Sequence, residues 1–177
     1  MLTIKVQSGD ATRVAADALV TLINSQRQWF GGVDRAIMRA AGDRFHRQAA
    51  LAMDARKLPD GTAIYTIDNP LDPAQRQPFK AVIFVIDDLR QPLGTLVINA
   101  LDCAVAHQVH TITLPALRMG IAAGIYEKTP LETVSALHTG ITTFDHDHPT
   151  VTLTVTFVIY NDHAAVELLT RQLLPPG

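Results

Sequence analysis

Asp17-Ala-Leu-Val-Thr-Leu-Ile-Asn24, then Gly31-Gly32-Val-Asp34 running into Arg35-Ala-Ile-Met-Arg-Ala-Ala-Gly42, is the stretch that decides how this chain folds. Its first piece is an apolar run of strand length that ends on a polar amide. The paired glycines and the run after them describe a chain that turns back and enters a helix. Backbone N–H groups at a helix start point outward, and the aligned peptide dipoles add roughly half a positive charge there. Glycine lets the backbone approach a diphosphate where a Cβ would obstruct it. The stretch therefore predicts a phosphate cradle at the carboxyl end of a strand, although paired glycines before a helix also serve as plain turns.

Working outward, alternation and short apolar runs predict strands near 2–7, 18–23, 62–67, 80–86, 111–114 and 151–160. Ala81-Val-Ile-Phe-Val-Ile86 is apolar throughout, as a strand covered on both faces requires. Leu93, Leu96, Val97, Ala100, Leu101 and Ala104 recur at helical spacing. Thr129-Pro130-Leu-Glu132 is a capping box with proline at the first helical position, and Leu131, Val134, Leu137, Ile141 and Phe144 continue its apolar stripe. A last helix holds Ala164, Val166, Leu168 and Leu169 before Pro175-Pro176. Strands alternating with helices predict a three-layer α/β/α fold around a six-stranded mixed sheet, with one domain over 1–177. The proline-rich stretch 68–78 is the expected exposed connection.

Composition narrows the function classes. With 177 residues, 47% hydrophobic and 18% charged, the chain is globular, neither disordered nor membrane-spanning. A net charge of -2 supplies no global positive field for nucleic acid. The single Cys103 has no intramolecular disulfide partner and sits in an apolar helical pattern, which predicts a core position in a reducing compartment. The amino terminus enters directly on Leu2-Thr-Ile-Lys-Val6 without a basic leader, so a cytoplasmic protein is expected. His146-Asp-His148 offers too few ligands for a tetrahedral metal site and reads as a solvated turn. No cofactor is implied. There is no P-loop, Gly-x-Ser-x-Gly elbow or Cys/His pair at an interpretable spacing.

Five landmarks in order, Gly9-Asp10-Ala11-Thr12, Asp17 to Asn24, Gly31-Gly32-Val33-Asp34-x-Ala-Ile37, Leu114-Pro-Ala-Leu-x-x-Gly120-Ile121 and Phe157-Val-Ile-Tyr160, resemble the macro domain family over nearly the whole chain. The resemblance implies a cleft for ADP-ribose or a related ADP-ribosyl metabolite or adduct. In the family Asp10's position accepts the exocyclic amine of adenine, the N–H of Ala11 reads a ring nitrogen, and an aromatic at Tyr160 lies against the base. Gly31, Gly32 and Val33 face Gly120, Ile121, Ala122, Ala123 and Gly124 across the diphosphate. Asn24 matches the amide that touches the distal ribose, and Asp34 the acid that helps activate water in hydrolase members.

Each of these residues also has an ordinary structural use. Asp10 can cap its own turn, Tyr160 can be a half-buried strand end, and Asp34 can answer a helix dipole. Arg118 supplies either a fixed charge to the phosphates or a solvated loop arginine. Two departures stand out: Asn-Ala-Ala-Asn reads Thr21-Leu22-Ile23-Asn24, and a run of glycines reads Trp29-Phe30-Gly31-Gly32. Trp29 and Phe30 form a lid, a wall against the distal ribose, or a cleft altered for another ligand. The histidine that often follows the acid by four residues is Met38. Three functions stay open: binding of free or protein-attached ADP-ribose, weak hydrolysis of ADP-ribosyl or acyl-ADP-ribose esters, and a divergent cleft for another ligand or a protein partner.

Overall fold

A computed structural model describes residues 1–28, 32–68, 76–120 and 122–174. Trp29, Phe30, Gly31 and Ile121 lie outside the described residues, as do positions 69–75 of the proline-rich connection and the closing Pro175-Pro176. Among the described residues six strands form one sheet: β1 (Leu2–Ser8), β2 (Ala16–Ile23), β3 (Ala63–Ile67), β4 (Phe79–Ile86), β5 (Thr111–Leu114) and β6 (Leu153–Ile159). Their order is β1-β6-β5-β2-β4-β3, with every neighbour parallel except the β3–β4 pair. Five α-helices among the described residues accompany them: α1 (Gly32–Ala41), α2 (Arg44–Ala55), α3 (Leu93–Ala106), α4 (Pro130–Asp147) and α5 (His163–Leu173). The three-layer α/β/α arrangement with a six-stranded mixed sheet is as the sequence predicts.

The period of two along each strand assigns the layers. On β2, Ala18, Val20 and Leu22 join α3, α4 and α5 in one core, while Leu19 and Ile23 join α1 and α2 in another. β4 splits the same way, with Ala81, Ile83 and Val85 on the first face and Val82, Phe84 and Ile86 on the second. Covered on both sides, these strands need apolar residues at nearly every position. Thr21 breaks that pattern on the α1–α2 face, where it is buried.

Helix boundaries follow local chemistry. The Thr129 hydroxyl accepts the Glu132 N–H at 3.1 Å, and Pro130 opens α4. The stripe of α4 is buried from Val134 through Phe144, but Leu131 is exposed. In α5 the buried positions are Ala165 and Leu169, and Ala164 faces solvent. α3 and α4 meet where a Cβ on Gly140 would stand 2.5 Å from the Gly94 carbonyl oxygen.

Two local expectations are corrected. His146 and Asp147 belong to the last turn of α4 and His148 caps it, because the His148 N–H bonds the Phe144 carbonyl and its ring stacks on Phe144 at 4.4 Å. Cys103 lies at the margin of the core rather than within it, on the flank of α3 that faces Tyr65 and His107. Burial still pushes its thiol up to about 11. Among the described residues no helix is long and apolar enough to cross a membrane.

Candidate functional site

Five parallel strands deliver their carboxyl ends to one edge, and the chain leaves each of them carrying a polar or glycine-rich segment. Ser8 pairs with Ile159 at the last register position of β1 and β6, and the Gly9 N–H donates to the Ile159 carbonyl at 3.0 Å. Asp10 and Tyr160 therefore leave adjacent strand ends. Asp10 Oδ1 accepts from the Thr12 N–H at 2.9 Å and the Thr12 hydroxyl at 2.7 Å, capping a 3-10 turn over Ala11–Arg13. Its Oδ2 faces the exposed Arg13 Nε at 3.8 Å. Burial alone would raise this carboxyl, but the Thr12 bonds and the Arg13 and Arg39 charges outweigh it and hold the group below its usual value. The capping use is observed, and it engages one oxygen of two. Tyr160 is 76% exposed, an uncovered ring rather than a half-buried one.

Alongside lies a cleft of about 220 Å³. Gly32, Val33 and Asp34 at the start of α1 form one wall, and Pro115 to Arg118 with Gly120 and Ala122 form the other. Thr21, Leu22 and Asp87 close its floor. At Gly32 and Gly120 a Cβ would meet no heavy atom of the described residues within 4 Å. Ala123 and Gly124 face a second, smaller cavity of about 160 Å³ beside Thr129 and Asp162. The loop that the sequence treats as one cradle thus opens to two sides.

The expected pair Asn24 and Asp34 does not meet through hydrogen bonds among the described residues. Asn24 is committed to its own turn: its Oδ1 accepts from the Gln26 and Gln28 N–H groups at 3.1 and 2.7 Å, and its amide donates to Gln28 at 3.0 Å. Asp34 is 3% exposed and gathers different neighbours. The Thr21 hydroxyl donates to Asp34 Oδ1 at 3.4 Å, and His46 Nε2 lies 3.7 Å from the same oxygen. Met38 is 43% exposed. His46 was illegible because α2 was not read as a helix. Phe45, Ala49 and the Ala52-Met53 pair, spaced as a helix after Gly42, carried that signal.

Arg118 is neither solvated nor free. Its backbone adopts φ 57 and its side chain is buried. Nε and Nη2 donate to Asp87 at 2.9 and 2.7 Å, Nη1 donates to both Glu127 oxygens at 3.0 and 2.9 Å, and Nη2 also reaches the Gln91 carbonyl at 2.8 Å. Burial would lower its proton affinity, but these two carboxylates outweigh it and hold the guanidinium more firmly charged. A guanidinium has five N–H donors, and these contacts engage them all. Glu127 Oε1 also accepts the Leu93 N–H at 3.0 Å, so the network ties the loop to the start of α3 and the end of β4.

No protein-family model matches the chain. Among curated relatives, an O-acetyl-ADP-ribose deacetylase of Citrobacter rodentium is 34% identical over 128 residues, covering 67% of this chain and 68% of its own length. A macro domain-containing protein of Streptomyces nogalater is 30% identical over 177 residues, covering 93% of this chain and 88% of that one. The chain belongs to the macro domain family. In three dimensions this macro domain is similar to the Oceanobacillus iheyensis macrodomain with ADP, at a TM-score of 0.72 and 19% identity over 95% of this chain and 88% of that one. It is similar also to the Trypanosoma brucei macrodomain in complex with ADP-ribose, at a TM-score of 0.71 and 18% identity over 95% and 68%.

Proposed function

We propose that this macro domain binds ADP-ribose along its carboxyl edge, with adenine between Asp10 and Tyr160 and the diphosphate between Gly32–Asp34 and Gly120–Ala122. The observation that carries this reading is the convergence of both half-sites on one edge of the sheet, with an uncovered aromatic ring beside a fixed carboxylate. Asp10 Oδ2 accepts the exocyclic amine, and the ring of Tyr160 stacks on the base for about 1–3 kcal/mol. Free N–H groups at the start of α1 and in the facing loop hold the phosphates. Arg118 acts from beneath, fixing the loop rather than touching phosphate.

Calorimetry against ADP-ribose, AMP and NAD tests the reading. The expected dissociation constant for ADP-ribose is micromolar, about −7 to −8 kcal/mol. Gly32→Val and Gly120→Val should fold, since among the described residues a Cβ meets nothing in either place, and should abolish binding. No heat and no thermal shift at millimolar ADP-ribose would remove the ligand assignment, and two folded variants with unchanged affinity would move the diphosphate elsewhere.

A second reading, hydrolysis of an acyl-ADP-ribose ester, is favoured by the burial of Asp34 at the cleft wall with two partners on one oxygen, and by relatives named O-acetyl-ADP-ribose deacetylase. Water attacks the ester carbonyl while the Asp34 carboxylate takes its proton. The bond from that carbon to the ribose oxygen breaks, the oxygen is protonated, and a carboxylic acid and ADP-ribose leave. Asn24 can enter this site only after releasing the turn it now closes. Asp34→Ala should lose ester cleavage while keeping most ADP-ribose affinity. Equal rates of ADP-ribose release from wild type and variant would take Asp34 out of catalysis.

A further inference from the structure

We propose that His46 is a positioning residue for Asp34, supplying from α2 the polar neighbour that α1 lacks at Met38. The inference rests on the ester-hydrolysis reading. Asp34 sits in the first turn of α1, Thr21 on β2 and His46 on α2, so two further elements converge on one carboxylate oxygen of the first. The imidazole is itself fixed. It is 5% exposed, and its ring meets Phe84 of β4 edge-on, with centroids 5.2 Å apart and planes inclined at 65°.

A buried carboxylate needs polar partners to remain in place. The Thr21 hydroxyl donates to Oδ1 and the His46 ring stands 3.7 Å from it, so both bear on the orientation of the carboxyl group. Aim matters because misplacing a reacting group by about 1 Å can lower a rate by roughly 10²-fold. His46 and Asp34 also share a groove of about 530 Å³ with Arg35, Asp43 and Arg47. Those three are exposed, and Arg47 pairs with Asp43 at 3.2 Å, so solvent screens their charges from the buried contact.

The test uses the full chain and O-acetyl-ADP-ribose, with kcat, KM, ADP-ribose affinity and thermal unfolding measured for wild type, His46→Leu and His46→Gln. His46→Leu should lower kcat roughly 10–100-fold with KM and ADP-ribose affinity within about twofold. His46→Gln, which keeps an N–H donor, should recover most of the loss. His46→Met, of closer volume and without a donor, replaces the Leu variant if that one does not fold. Because His46 acts through Asp34, adding His46→Leu to Asp34→Asn should cost no further rate. Unchanged kcat in His46→Leu, equal losses in the Leu and Gln variants, or a fall in ADP-ribose affinity that tracks kcat would overturn the proposal. Absence of ester cleavage by the wild type would instead overturn the hydrolase reading beneath it.

Discussion

Asp10 caps a turn with one oxygen, and the proposed adenine contact falls to the other, so the two can be separated. Oδ1 caps the turn while Oδ2 is assigned to adenine, so Asp10→Ala removes both contributions. It should weaken ADP-ribose binding by about 1–3 kcal/mol and stability by about 0.5–2 kcal/mol. Asn is an equally good cap, yet its amide would present a donor to the donor amine of the base. Asp10→Asn should therefore keep the unfolding midpoint and still lose affinity, measured by calorimetry and thermal unfolding side by side. If Asn binds as well as wild type, Oδ2 does not read the base. The turn was legible here, because a Gly-Asp-x-Thr sequence after a strand sets Asp10 to cap its own backbone, as Oδ1 does. The environment of Arg118 was not legible, since its partners Asp87 and Glu127 are far apart in sequence and meet only in the fold.

At the scale of elements, periodicity did most of the work where helices and strands were long. The apolar run 81–86 and the stripe from Leu93 to Ala104 each state their own covering. α2 shows the limit: Arg44, Arg47, Gln48 and Asp54 interrupt its apolar positions, and the short spacing after Gly42 resembles a continuation of α1. The consequence fell on the site, because α2 carries His46. Helix contacts also rest on a detail that no pattern reveals, the close approach of Gly94 and Gly140. A methyl group at Gly140 would stand 2.5 Å from a backbone oxygen and 2.8 Å from the Gly94 Cα, neither of which can yield as a flexible side chain would. Gly140→Ala should destabilise the fold by about 1–3 kcal/mol through overpacking, despite the better helix propensity of alanine. Denaturant unfolding checks this, and an unchanged or raised midpoint would show that α3 and α4 separate easily.

Across the whole molecule, the Asp17 network stabilises the amino edge of the sheet, opposite the carboxyl edge to which we assign binding. At the amino edge the Asp17 carboxylate accepts from the His110 and Thr111 N–H groups at 3.1 and 3.0 Å, from the Thr111 hydroxyl at 3.0 Å and from Lys80 Nζ at 3.0 Å, joining β2 to β4 and β5. Burial would raise this carboxyl, but the Lys80, Thr111 and His110 bonds together hold it below its usual 3.8. A depressed carboxylate contributes stability that is present above its unfolded value and is lost as pH falls through the folded one. Asp17→Asn should therefore cost about 1–3 kcal/mol near neutrality. The wild-type and variant curves should converge as pH drops below about 4. ADP-ribose affinity should not change, because the residue lies at the far edge. A stability gap that persists into acid, or a change in affinity, would contradict this division of labour.

Sheet order has a consequence for the time at which the site can exist. β1 borders β6 alone, so the first strand to be made has no neighbour until residues 153–159 have also been made. At about 5–20 residues per second, a ribosome takes roughly 7–30 s to cross that interval. Throughout it the β1 edge stays open, and nascent chains arrested before Leu153 should expose Leu2, Ile4 and Val6 to chaperones or to one another. The edge carrying Asp10 and Tyr160 closes last, whereas Asp34, Thr21 and His46 can assemble from the first 60 residues and the strand that follows them. Limited proteolysis of arrested chains would detect that order as late protection of residues 2–10.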